Sequence, residues 1–497
     1  MTPEEAYREL LRRSRDQMVL GSCATLLEWD EDVTMPEGGA AHRAEQQALL
    51  ARLGHAQATD ERLGELLARA LEGEHARDPV VRANLKALAD EHEEARLVPG
   101  SLVEELARVT TLSTDAWHLA RESGDVRAYL PKLERVLALK QAEADCVARG
   151  RSRYDAMLDE WEEGLTWGEL APMLARLSEA SRPLLARVRD RRPPSVLLAQ
   201  RVPAPVQDAI CQALAADLGF DLTLGRLDTA VHPSTTRIGP GDVRLTTRYD
   251  EDAFTGGLFA TLHELGHGLY EQYLPEEHFG APVGEAPSLG MHESQARLLE
   301  NHLGRSRAFW RWLWPRAAPK IGGALGAAHA DEIFEGIAAV NVGASRIRAD
   351  ELSYDLHILV RAELERALVS GDLRVGDLPA AWNEAYAKTL DVRIGSDVEG
   401  CLSDGHWADG MFGYFPTYTI GNCIAAQLVA TLRAEVGDLD ARIERGDFAA
   451  LLSFLRERVH RWGSLYDTRT LVLRATGAPL SVEPLIAHLR ARADALA

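Results

Sequence analysis

The chain has 497 residues and carries 76 acidic against 55 basic side chains, a formal net charge of −21. That charge repels nucleic acid and anionic membranes with no arginine-rich tract to offset it, and no run of about 18 apolar residues offers a membrane span. The five cysteines, Cys23, Cys146, Cys211, Cys401 and Cys423, are odd in number and widely spaced without a C-x-x-C pair, so they indicate neither a disulfide framework nor a thiolate metal site and are expected as buried thiols.

The N-terminus, MTPEEAYRELLRRSRDQ, reads as an amphipathic charged helix rather than a signal peptide, which sets the expectation of a cytoplasmic protein. Helical periodicity then recurs over Pro3–Leu27, His42–Leu71, Pro79–Glu94, Ser101–Arg121, Ala128–Arg149, Trp167–Arg189 and Pro205–Leu218. Strand-like runs are few, the best being Asp242–Tyr249. No Pro/Gly/Ser-rich linker or low-complexity run divides the chain, so one large, mostly α domain is predicted.

Directly after that strand, Phe254–Tyr273 is predicted as a helix with Asp250 or Asp252 capping its start and Pro275 ending it. Within it His263, Glu264 and His267 form H-E-x-x-H. Residues four apart on a helix are offset by about 40° and rise about 6 Å, so both imidazoles face one way and share a metal, while Glu264 flanks the ion without binding it. Phe254, Leu258, Leu262, Leu265 and Leu269 form an apolar stripe on the opposite side, and Gly256 and Ala260 leave room on the chemical face. The same five residues also arise by chance on solvated helices, so a third ligand is required.

The metzincin continuation of Gly and a third His does not follow His267, which excludes that class. A carboxylate from a second helix, Ser288–Leu303, is the remaining common solution, and Glu293 is favoured. His292 points about 100° away from it, and Glu300 ranks third. Two histidines and one carboxylate leave a coordination position open for water, whereas closed structural sites have four protein ligands and are rich in Cys.

With H-E-L-G-H joined to His292-Glu293-Ser294-Gln295, the chain resembles the carboxypeptidase Taq family of metallocarboxypeptidases over nearly its full length. Trp29, Asp30, Met35, Pro36, Gly38 and Gly39 are similar to its W-D-x-x-x-x-M-P-x-G-G segment, and Asp242, Arg244 and Thr246 match D-x-R-x-T. His232-Pro233 resembles H-P-F with Ser234 in place of Phe, GCLSDGHW resembles G-x-x-Q-D-x-H-W with Ser403 in place of Gln, and FGYFPTYTIGN matches closely. The resemblance implies a large helical domain over 1–497 with a deep central substrate cleft and a small β element before the H-E-x-x-H helix. Its N-terminal helical portion would run to about 230, its metal-site portion over about 231–425, and its C-terminal helices over about 426–497.

It further implies a homodimer that acts on peptides, with one divalent ion per subunit: zinc first, then cobalt or manganese. His263, His267 and Glu293 would bind the ion and Glu264 would act as general base. Tyr414 and Tyr418 are the candidates for stabilising the developing oxyanion. Arg348 or Arg346, in RIRADE, would take the terminal carboxylate of the substrate, with Arg244, His232 and His406 as further contacts. Structural alternatives stand beside these: Asp242 and Arg244 as an ion pair, Trp407 as core, and Asp404 with His406 as partners of the metal ligands or a buried pair. From the motif alone, a zinc endopeptidase, an oligopeptidase or another metal-dependent amidohydrolase would share the same ligands.

Overall fold

The computed structural model describes residues 1–189, 195–340 and 342–496. They form two compact units, each assembled from three stretches of chain. The first comprises Met1–Ala95, Ser195–Ala338 and Ile424–Leu480; the second comprises Arg96–Pro194, Ala339–Cys423 and Ser481–Ala497.

The first unit opens with α1 (Pro3–Val33), where Thr2 and Glu5 form a reciprocal capping box and Pro3 supplies a preset φ. The stretch predicted as one helix over His42–Leu71 is two, α2 (Ala40–Ala58) and α3 (Glu61–Leu71). Asp60 breaks the run because its carboxylate accepts from the Arg62 amide at 2.9 Å and caps the second helix. Helices α1, α3 and α4 (Pro79–Leu97) enclose a small core of Ala6, Leu10, Leu66, Leu67, Ala70 and Leu85.

In the second unit α5 (Gly100–Ser123), α6 (Leu130–Val147), α7 (Arg153–Asp159) and α8 (Trp167–Val188) pack with the helix Glu351–Ser370 and the helices at 378–390 and 483–496. The helix Glu351–Ser370 is buried on every side over 351–362, shows one partly exposed face at Glu363, Arg366, Ala367 and Ser370, and is the axis of that unit.

The first unit resumes with α9 (Ala204–Asp217) and a three-stranded sheet, β1 (Gly225–Thr229), β2 (Ser234–Gly239) and β3 (Asp242–Thr247). The strand order is β1-β3-β2, with β1 parallel and β2 antiparallel to β3. The predicted strand Asp242–Tyr249 thus ends at Thr247 and lies between two partners that periodicity did not single out. Alternation sorts the two faces. Val243, Leu245 and Thr247 turn toward α10 (Phe254–Tyr273), and Thr247 Oγ1 donates to the Gly257 carbonyl at 3.2 Å. Arg226 and Arg244, paired across β1 and β3, turn the other way and stack on Trp29 of α1 with 5.2 and 4.3 Å to the ring centroid.

The helix α10 has the bounds the sequence predicts, and the apolar stripe from Phe254 to Leu269 is buried. Each such leucine at full burial stabilises by roughly 1.5–3 kcal/mol. One expectation is corrected. Neither Asp250 nor Asp252 caps the helix: Ala253 occupies the N-cap without a side-chain bond, and Asp250 accepts from the Asp252 amide instead. Gly257, Thr261, Gly266 and Gly268 are buried along with the apolar stripe. Those small residues let neighbours approach: a Cβ on Gly266 would lie 2.3 Å from the Gln295 carbonyl oxygen, and one on Gly268 would lie 2.7 Å from Leu245 Cδ2.

The predicted helix Ser288–Leu303 is composite. Ser288 caps α11 (Leu289–Arg297), and Leu298–Gly304 continues as a π-helix. The cysteines are unpaired as expected, but only Cys211, Cys401 and Cys423 are buried; Cys146 is half-buried and Cys23 exposed. No described helix is long and apolar enough to cross a membrane. The mostly α expectation with one small sheet before the H-E-x-x-H helix holds.

Candidate active site

Because Gly266 lets α11 press against α10, Glu293 is delivered to the histidine pair one turn away. Its Oε2 lies 3.7 Å from His263 Nε2 and 3.5 Å from His267 Nε2, and one donor atom from each of the three residues falls within 4.8 Å of the others. The two imidazole rings stand edge to face at 5.0 Å. Two nitrogens of half-buried histidines and one oxygen of a buried carboxylate, without a thiol, are a donor set suited to a divalent ion with an open position.

A layer of charge holds this group. His263 Nδ1 meets Glu300 Oε2 at 3.0 Å, which leaves Nε2 directed at Glu293. Arg297 donates to Glu293 Oε1 at 2.6 Å and to Glu300 Oε2 at 3.1 Å, and Arg305 lies 3.7 Å from the other oxygen of Glu300. Burial opposes charge on His263, but Glu293 and Glu300 outweigh it and lift the imidazole to about 9. Burial also opposes charge on Glu293 and Glu300, yet Arg297 with His263 holds Glu293 far below the carboxylate range and Glu300 at about 2. His267 shifts down through burial and the neighbouring His292.

His292 is engaged elsewhere and does not join the three-donor group: it stacks on His267 with centroids 4.4 Å apart, and its Nε2 meets Glu271 Oε1 at 2.7 Å. Glu264 is buried, 6% exposed, and its Oε2 accepts from the Thr235 hydroxyl of β2 at 2.7 Å. Two turns along the same helix, Glu271 lies 3.6 Å from Arg237, two residues beyond Thr235. Strand β2 therefore faces the acidic side of α10, which the sequence reading missed; the only signal was alternation of Thr235 and Arg237 in a run too short to separate from a loop.

Of the residues expected to contact substrate, Arg244 forms a bidentate pair with Asp242 at 2.8 Å under Trp29, the ion-pair alternative. His232 is exposed, and its carbonyl accepts from Thr246 at 3.1 Å. Ser234, at the position of the missing Phe, meets Thr246 Oγ1 at 2.9 Å.

The second unit contains the other candidates. Arg346 is buried, donates to Asp404 Oδ1 at 2.9 and 3.1 Å and to the Tyr354 hydroxyl at 3.0 Å, and lies over the Tyr418 ring. The other oxygen of Asp404 takes Arg361 Nε at 2.8 Å, so one carboxylate sits between two buried guanidiniums and burial cannot raise it: it is held well below its usual range. Ser403, in place of Gln, bonds Arg361 and Asp404. His406 Nε2 meets the Tyr418 hydroxyl at 3.1 Å, and burial, then Arg346, lowers its imidazole to about 4. Tyr414 is half-buried against Trp161 and His406. Arg348, two residues from Arg346, is exposed. Trp407 is core, donating to the buried Glu365 at 2.6 Å.

The chain matches the family described as carboxypeptidase Taq (M32) metallopeptidase over residues 9–493. Thermostable carboxypeptidase 1 of Thermus thermophilus is 43% identical over 509 residues, spanning 100% of both chains, and carboxypeptidase 1 of Bacillus subtilis is 32% identical over 98% of this chain and 97% of its own. Among solved structures, the M32 carboxypeptidase from Deinococcus radiodurans R1 superposes with a TM-score of 0.96 at 36% identity over 99% of each chain. Relatives that share both sequence and fold at full length are carboxypeptidases, so the endopeptidase and amidohydrolase readings are not favoured. This chain belongs to the carboxypeptidase Taq (M32) family, and it is a metal-dependent peptide hydrolase that removes residues from C-termini.

Proposed function

We propose that His263, His267 and Glu293 hold one divalent ion per subunit, zinc first with cobalt or manganese as alternatives, and that Glu264 is the general base. The observation that carries this is the convergence of the three donor atoms within 4.8 Å beside a buried Glu264. When bound, such an ion supplies Lewis acidity and brings a water proton within reach of a carboxylate base near neutral pH. Glu264 takes a proton from the attacking water and returns it to the departing amine, so the peptide C–N bond breaks, water adds across it, and no covalent intermediate is required. Glu293, held ionised by Arg297, and His263, oriented by Glu300, keep the donor set in place.

In the same reading Tyr414 and Tyr418 are the donors to the oxyanion, and His406, neutral and bonded to the Tyr418 hydroxyl, orients that phenol. Arg348 takes the terminal carboxylate of the substrate: it is exposed, whereas Arg346 is committed to Asp404 and Tyr354 and supports the segment that carries Arg348. Arg244 and His232 act as outer contacts. A cytoplasmic homodimer completes the reading, carried by the family resemblance, and light scattering on the purified protein tests the dimer.

The deciding experiment is hydrolysis of one peptide with a free and with an amidated C-terminus, by metal-reconstituted protein and a chelated control, followed by mass spectrometry. Stepwise loss of C-terminal residues from the free peptide alone, only with metal, is expected. Internal cuts in both peptides would remove Arg348 from the mechanism. Reconstitution with each metal in turn ranks zinc, cobalt and manganese.

A further inference from the structure

Thr235 is bonded to the one side chain that must move protons. Its hydroxyl lies 2.7 Å from Glu264 Oε2 and 3.1 Å from the Glu264 carbonyl, and the shorter contact is the charge-assisted one. Among the described residues no other side chain donates to that carboxylate. Glutamate has free rotation about three side-chain bonds, whereas threonine is stiff at χ1. Thr235 is also fixed by its strand: it pairs across β2 and β3 with Leu245, which is fully buried and packs against α10 at Gly268.

We infer that Thr235 is a positioning residue for hydrolysis, holding Glu264 Oε2 so that Oε1 alone serves as the proton acceptor. The inference rests on the reading of Glu264 as general base. A water O–H bond breaks as the Oε1–H bond forms, and later the same Oε1–H bond breaks as the amine N–H bond forms. Throughout, Oε2 keeps its bond from Thr235, so the carboxyl group does not turn and the proton leaves from the oxygen that received it. Without the hydroxyl, Glu264 regains rotamers in which neither oxygen faces the water, and misplacement of a catalytic group by about 1 Å costs on the order of 10²-fold in rate.

The test compares Thr235→Val, which keeps shape and β propensity but lacks the hydroxyl, with Thr235→Ser, which restores it, in metal-loaded enzyme on a free-C-terminus peptide. For Thr235→Val, kcat is expected to fall about 10–100-fold with KM within about threefold and metal content unchanged. For Thr235→Ser, kcat is expected to return to within about threefold of the parent. A kcat for Thr235→Val within about twofold of the parent overturns the proposal, as does a fall that tracks metal loss or that serine does not restore. Glu264→Gln separates the two levels: if it keeps near-normal turnover, the general-base reading itself fails, whereas an inactive Glu264→Gln beside a fully active Thr235→Val removes only the role of Thr235.

Discussion

Glu300 works on the proposed metal ligands without belonging to them. Lying seven residues beyond Glu293, it reaches His263 Nδ1 at 3.0 Å and so leaves Nε2 as the nitrogen that the proposed ligand set would use. Glu300→Ala should weaken metal retention about 10–100-fold while leaving the fold intact, which titration against a competing chelator reads directly. Glu365 makes a different point, because burial pushes it up to about 7 against bonds from the Trp407 and Gly413 N–H groups and the Tyr154 hydroxyl. Its folded pKa lies above the ordinary 4.5, so the folded state binds more protons over that interval. The stability it contributes is present below pH 4.5 and is lost as pH rises through 7. Between pH 5 and 8 that loss is on the order of 3 kcal/mol, and Glu365→Gln, which mimics the protonated carboxyl, should abolish this part of the pH dependence in thermal melts. At this scale the sequence was legible wherever a helix set the geometry: 100° of phase separates Glu293 from His292, and the contacts of His292 with Glu271 and His267 agree. Arg346 and Arg348 lie outside regular structure, where no period exists to say which is buried.

Elements succeed or fail by how local their causes are. The helix α10 follows from apolar spacing and a terminating proline within its own residues, and its bounds came out unshifted. The α2–α3 break turns on the Asp60 cap, a single-residue signal outweighed by periodicity running through it on both sides. Strands β1 and β2 owe their existence to pairing with β3, one of them in parallel, and five or six residues of mixed exposure carry no such information. The π-helix Leu298–Gly304 leaves apolar spacing nearly unchanged while it alters the direction of Glu300, so it too was invisible. The contact of α10 with α11 gives the sharpest element-level prediction. A methyl at Gly266 would meet the Gln295 carbonyl at 2.3 Å and Ala296 Cα at 2.5 Å. Gly266→Ala should therefore separate the helices, cost about 1–3 kcal/mol by overpacking, and strip the metal, as calorimetry and metal analysis together would record.

Neither unit is continuous in sequence, a property that hydropathy along a chain has no means of displaying. The first takes its last piece from 424–480, where Thr468 bonds Ser288, the cap of α11, at 2.8 Å, and His460 meets Gln295 at 3.0 Å. The second takes its last piece from 481–497, where Leu485, Ile486, Leu489 and Ala493 are buried, the helix packs on α8, and His488 bonds the buried Glu351 at 2.8 Å. Deleting 483–496 should expose that face of α8 and leave Glu351 without His488, so the second unit is expected to melt at least 10 °C lower or fail to fold, read by calorimetry and protease sensitivity. This interleaving also governs biosynthesis. Ribosomes deliver residues in order, and both buried axes, 254–273 and 351–370, emerge before the last piece of their own unit, 424–480 for the first and 481–497 for the second. Closure therefore runs late against synthesis, and α11, which carries the proposed ligand Glu293, gains its bonds from His460 and Thr468 only once 424–480 has been made.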